Sequence, residues 1–82
     1  KKHFAVVNVG DLQVFENGTE VALHDFFEAG LVKKLFDGIK LLGDGEVNSP
    51  LTVHVHKASA AAVQKIEAAG GRVELIVPQK RN

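Results

Sequence analysis

The stretch from Pro50 to Gly70 changes period once, and that change constrains the fold more than any other feature of the chain. Leu51, Val53 and Val55 alternate with Thr52, His54 and His56. Successive side chains of a strand point to opposite faces, so the alternation predicts a half-buried strand with one apolar and one polar face. Ser59 then stands ahead of a run rich in alanine. A serine hydroxyl accepts a free backbone N–H at a helix start, so Ser59 is the expected cap. Ala62, Val63, Ile66 and Ala69 line one face of the expected helix, and Gly70–Gly71 stops it. Val73 to Val77 reads as a last strand, ended by Pro78. A strand leading into a helix and back into a strand predicts the α/β class.

The remainder of the chain repeats the theme in shorter pieces. Phe4 to Val9 is rich in β-branched residues and predicts a strand, broken at Gly10–Asp11. Asn17–Gly18 is a turn pair, because both residues tolerate positive φ. Leu23, Phe26 and Phe27 recur at helical spacing, with both phenylalanines expected in the core, and Gly30 is the natural stop. Asp37–Gly38 predicts a turn, Ile39 to Leu42 a short strand, and Gly43-Asp44-Gly45 its end. Two loosely similar parts emerge, each with extended segments leading to a helix that ends in Ala-Gly. With 82 residues and no linker rich in Pro, Gly or Ser, residues 1–82 are expected to form one domain. There is no methionine. The chain therefore reads as processed, or as part of something longer.

Composition removes whole classes of chemistry. No cysteine means no disulfide, thiolate nucleophile, zinc finger or iron–sulfur cluster. No apolar run approaches the roughly 20 residues of a membrane span. Ten basic residues balance ten acidic ones, so net charge by itself does not favour a nucleic-acid partner. The balance is uneven along the chain. Lys1, Lys2, Lys80 and Arg81 sit at the ends, leaving six basic and ten acidic residues between them.

His54 and His56 are the first candidates for chemistry. Two apart on a strand, they would share a face, as histidine pairs that grip zinc or copper do. The spacing supplies no third ligand, and the bland alternative is the wet side of a half-buried strand. Asp44-Gly45-Glu46 lacks the spacing and lysine of a phosphate loop and reads as a turn. Asn17-Gly18-Thr19 fits the glycosylation pattern but serves equally as a turn. His56-Lys57-Ala58-Ser59 places a cation and a hydroxyl before a helix N-terminus, where dipole and free N–H groups favour an anion such as a phosphate. Lys33–Lys34 follows the first helix and is either a second contact or a solvated pair at the helix C-terminus. There is no tyrosine or tryptophan platform for stacking single-stranded bases. The residues thus describe a small α/β domain that binds rather than catalyses.

From Asn8 to Ile76 the chain resembles the C-terminal globular domain of large-subunit ribosomal protein fifteen, a universal family with an archaeal and eukaryotic branch. The resemblance is carried by Val7-Asn8-Val9-Gly10-Asp11-Leu12, by Asn17-Gly18-Thr19-Glu20-Val21, by Glu28-Ala29-Gly30-Leu31-Val32-Lys33-Lys34 and, above all, by Asp37-Gly38-Ile39-Lys40-Leu41-Leu42-Gly43-Asp44-Gly45-Glu46-Val47. It continues through Leu51-Thr52-Val53, His56-Lys57, Ser59, Ala62, Ile66 and Glu67-Ala68-Ala69-Gly70-Gly71.

The resemblance implies an irregular superhelix of strand-strand-helix units with two main helices and short strands. It implies a structural role in the large ribosomal subunit, binding ribosomal RNA and neighbouring ribosomal proteins, with no catalysis, cofactor, small-molecule substrate or membrane. It places the protein in ribosomes, of the cytoplasm or of an organelle. Family members also carry a basic, glycine-rich N-terminal extension that is absent here, so the chain is expected to be a fragment of a longer one. Their helix start is often more basic, with a cation where His54 stands and a lysine at Ala60. The RNA-binding residues expected under this reading are Lys33, Lys34, Lys40, His54, His56, Lys57, Ser59 and Arg72. The alternative from another class is a small histidine-based metal-binding module on His54 and His56.

Overall fold

A computed structural model describes residues 3–34 and 38–76. Asp37, Phe36, the end of the last expected strand at Val77–Pro78, and the terminal cations Lys1, Lys2, Lys80 and Arg81 lie outside the described residues.

Among the described residues six short strands and two α-helices follow one another as β1 (Ala5–Asn8), β2 (Glu20–Val21), α1 (Leu23–Glu28), β3 (Ile39–Leu42), β4 (Thr52–Val55), β5 (Lys57–Ala58), α2 (Ala60–Ala68) and β6 (Arg72–Leu75), with a 3₁₀ helix (Val9–Val14) between β1 and β2. The odd strands form one parallel sheet in the order β1-β3-β5, and the even strands a second in the order β2-β4-β6. The chain therefore visits the two sheets in turn and winds as a three-rung superhelix. Parallel pairing of sequential strands in one sheet demands a crossover. Here each crossover carries a strand of the other sheet.

The core lies where the two sheets and the helices meet. Val7, Ile39 and Leu41 of the first sheet join Val21, Val53 and Val55 of the second, and Phe26, Ala62 and Ile66 close it from the helices. Leu51, Val53 and Val55 are buried while Thr52 and His54 are half-buried, as the alternation requires. Phe26 is fully buried and meets the Phe15 ring edge-on, centroids 6.4 Å apart. Phe27, expected beside it in the core, is 38% exposed. With only six residues, α1 turns too little of its surface inward to bury two adjacent aromatic rings.

Local chemistry explains the boundaries. The Asp25 carboxylate accepts the Ala22 N–H at 2.8 Å, and that of Asp11 accepts the Asn8 N–H at 3.0 Å, so an acid three residues in secures each entry. The second of these turns the expected break at Gly10–Asp11 into a 3₁₀ helix. Ser59 caps α2 as expected, its Oγ accepting from the Ala62 N–H at 3.2 Å. Gly30, at φ +78°, closes α1. Strands β2 and β5, two residues each, are too short to leave a periodic trace in the sequence.

Candidate nucleic-acid interface

The outward side chains of the two sheets differ in kind. On the first sheet, Val6, Lys40 and Lys57 are lateral neighbours across β1, β3 and β5, and all three are exposed. On the second, Glu20, Thr52 and Arg72 form one row, and His54 stands beside Glu74 in the other.

The polar side chains of the second sheet partner one another. The His54 Nε2 lies 2.8 Å from the Glu20 carboxylate, and the Arg72 Nε donates to the Glu74 carboxylate at 2.8 Å. The lysines of the first sheet have no such partner. Among the described residues no carboxylate pairs with Lys40 or Lys57, nor with Lys33 or Lys34 in the exposed segment beyond α1. The Lys57 ammonium sits over the Phe4 ring, 5.5 Å from its centroid, a cation–π contact between the two edges of the sheet.

His54 and His56 do not act as a pair. The strand expected to run through His56 ends at Val55, and the chain crosses to the first sheet at Lys57. His54 therefore serves the second sheet through Glu20. The His56 Nδ1 accepts the Ile39 N–H at 3.0 Å and serves the first. An accepting Nδ1 leaves the neutral ring proton on Nε2. Gly38, at φ +141°, makes room for this ring: a Cβ there would lie 2.6 Å from the His56 Cγ. Among the described residues no three His, Asp or Glu side chains converge in a way that could hold a metal. The histidine-based metal module thus finds no support, because the sheet switch at His56 sends the two imidazoles to different partners.

Ser59 is also engaged. Its Oγ caps α2 and its N–H donates to the Leu41 carbonyl at 2.9 Å. Of the eight residues singled out by sequence, His54, His56, Ser59 and Arg72 are held by internal partners, whereas Lys33, Lys34, Lys40 and Lys57 point charge outward.

One lysine escaped the sequence reading. Lys65 on α2 donates to the carbonyls of Gly43, at 2.8 Å, and Gly45, at 2.6 Å, with the Glu46 carboxylate 3.7 Å away. The Gln13 amide adds a bond to the Glu46 carbonyl, and the Gly10 N–H one to Asp44. Gly45, at φ +87°, lies against Gly10, where a Cβ would come within 2.7 Å of the Gly10 Cα. The Gly-x-Gly turn is therefore a close-packed junction between the 3₁₀ helix and α2. Beside it, Glu46, Val47, Asn48, Lys65, Ala68 and Ala69 line an open hollow. Among the described residues no helix is long and apolar enough to cross a membrane.

Residues 6–74 match the model of a family of ribosomal proteins that takes in 50S-L15, 50S-L18e and a counterpart from the 60S subunit. The chain is 54% identical over 76 residues to the large ribosomal subunit protein uL15 of Lactobacillus acidophilus, covering 93% of this chain and 52% of that protein. It is 51% identical over 77 residues to the uL15 of Syntrophotalea carbinolica and 50% identical over 76 residues to that of Geobacter metallireducens, again across 93% of this chain. The chain spans about half the length of these relatives. A match that runs from β1 into β6 takes in both sheets and both helices, and on that ground the chain belongs to this family of ribosomal proteins.

Proposed function

We propose that this chain is a structural part of the large ribosomal subunit, contacting ribosomal RNA and neighbouring ribosomal proteins, with no catalytic step and no cofactor. Residues 1–82 act in it as one folded domain. Family membership supports the subunit, since the similar proteins bear that name. The observation that carries the RNA contact is the set of exposed lysines without carboxylate partners, Lys33, Lys34, Lys40 and Lys57.

RNA duplexes are recognised mostly by shape and backbone, so scattered cations on a rigid frame suffice. A frame of two short sheets meets that need, because β3 and β5 fix the spacing of their lysines through the backbone ladder. The exposed Val6, Val14 and Leu75 supply apolar contacts to protein neighbours. The site of action is the ribosome, in the cytoplasm where the gene belongs to a bacterium such as those of the relatives.

Sedimentation tests the reading. A tagged protein is expected in the large-subunit fraction of a sucrose gradient run at high salt. Recovery only at the top of the gradient, with intact subunits in the same tube, overturns it.

A further inference from the structure

Lys40 and Lys57 face each other in register on adjacent strands. Neighbouring strands lie about 4.8 Å apart. Like charges placed side by side on a sheet destabilise it. Both side chains are exposed and free to diverge. Lys57 does not diverge. Its ammonium reaches the ring of Phe4, which precedes the opposite edge strand, so its stem leans across β3, the strand that carries Lys40. Two exposed lysines thus stand side by side in register on adjacent strands, with no carboxylate among the described residues paired to either. An anion bound between them would repay that cost.

We propose that Lys40 and Lys57 grip a single backbone phosphate of the ribosomal RNA, and that Phe4 holds the Lys57 ammonium in place for it. This rests on the RNA-binding reading above and goes beyond it by assigning the contact to the outer face of the first sheet. The Ser59 Oγ already accepts the Ala62 N–H at the start of α2, so the proposal makes no use of it.

Filter binding of the chain to deproteinised large-subunit ribosomal RNA, over a salt series, separates the possibilities. Each neutralised phosphate contributes about 0.7–0.9 to the slope of log affinity against log salt. Lys40→Gln and Lys57→Gln are each expected to weaken binding several-fold. Two lysines on one phosphate predict that the double variant lowers the slope by about one such unit. Phe4→Leu removes no charge, so it should weaken binding with the slope unchanged. The Lys40→Arg/Lys57→Arg variant, which keeps both charges, should restore most of the affinity.

A slope that falls by two units in the double variant means two separate phosphates and overturns the shared grip. Unchanged affinity in the double variant removes the face from the interface while the wild-type chain still binds, which leaves the proposed function standing. No wild-type binding at all sinks both. Polyglutamate of matched charge that binds as tightly as RNA overturns the proposal in favour of an acidic protein partner. Melting of each variant without RNA is the check on folding. Because neither lysine is buried, the lysine variants should stay folded, whereas Phe4→Leu, which trims a half-buried ring and removes the cation–π contact, should melt slightly lower but still cooperatively.

Discussion

Gly71 and His56 are the residues at which single atoms decide the local structure. A Cβ on Gly71 would lie 2.1 Å from the Leu51 carbonyl oxygen, the same oxygen that accepts the Arg72 N–H at 2.9 Å. A methyl group there must push β6 off β4. Gly71→Ala is expected to cost about 3 kcal/mol, at the upper end of ordinary overpacking, read as a shift of the urea midpoint. His56 works by accepting one hydrogen bond. Its removal in His56→Ala leaves the N–H of fully buried Ile39 without a partner, a loss of about 1–3 kcal/mol. His56→Asn, which offers a carbonyl at a similar reach, should recover part of it, and equal losses in the two variants would show that the ring acts by packing alone.

At the scale of elements, Lys65 ties α2 to the Gly-x-Gly turn, and Gly10 and Gln13 tie the 3₁₀ helix to the same turn. A charged donor bonded to two carbonyls is worth more than an exposed ion pair, so the bonds to Gly43 and Gly45 outweigh the Glu46 contact at 3.7 Å. Lys65→Met keeps the aliphatic stem and removes the donor. It is expected to cost about 1–2 kcal/mol, from the value of charged hydrogen bonds. The sharper sign is local. The Gly10 N–H, bonded to the Asp44 carbonyl, should exchange with solvent faster in the variant, while amides in the β1–β3 ladder keep their protection. Uniform acceleration of both sets would mean that Lys65 supports the whole domain and not the junction.

The whole molecule is small, and its core is correspondingly exposed to single changes. A domain of 82 residues has a total stability of about 4–12 kcal/mol. Among the described residues Phe26 is the largest fully buried side chain, and Phe26→Ala is expected to cost about 3–5 kcal/mol. That is a large share of the total, so the variant's melting midpoint, followed by circular dichroism, should fall by about 12–40 °C. A cooperative melt within a few degrees of the wild type would contradict the placement of Phe26 at the centre. Charge is also a property of this scale. The formal net charge is zero, yet among the described residues the lysines without a carboxylate partner lie on the first sheet's outer face and beyond α1, while the second sheet pairs its own side chains.

Some of this could be read from the residues in order. Strand β3, the buried alternation of Leu51, Val53 and Val55, the Ser59 cap and the stops at Gly30 and Gly70 follow from periodicity and backbone preference, which act over a few neighbours. The order of motifs from Asn8 to Ile76 also carried the family. The pairing of strands could not be read, because two residues of β2 or β5 become a strand only when a partner 32 or 17 positions away supplies the hydrogen bonds, as Thr52 does for Glu20 and Lys40 for Lys57. The alternation through His56 suggested a shared face for two histidines, and the crossing between sheets separated them. The tertiary structure likewise decided which side chains meet a carboxylate. Strand pairing brings Glu20 to His54 and Glu74 to Arg72, while among the described residues it brings none to Lys40 or Lys57, and no run of neighbours in the sequence fixes such pairings.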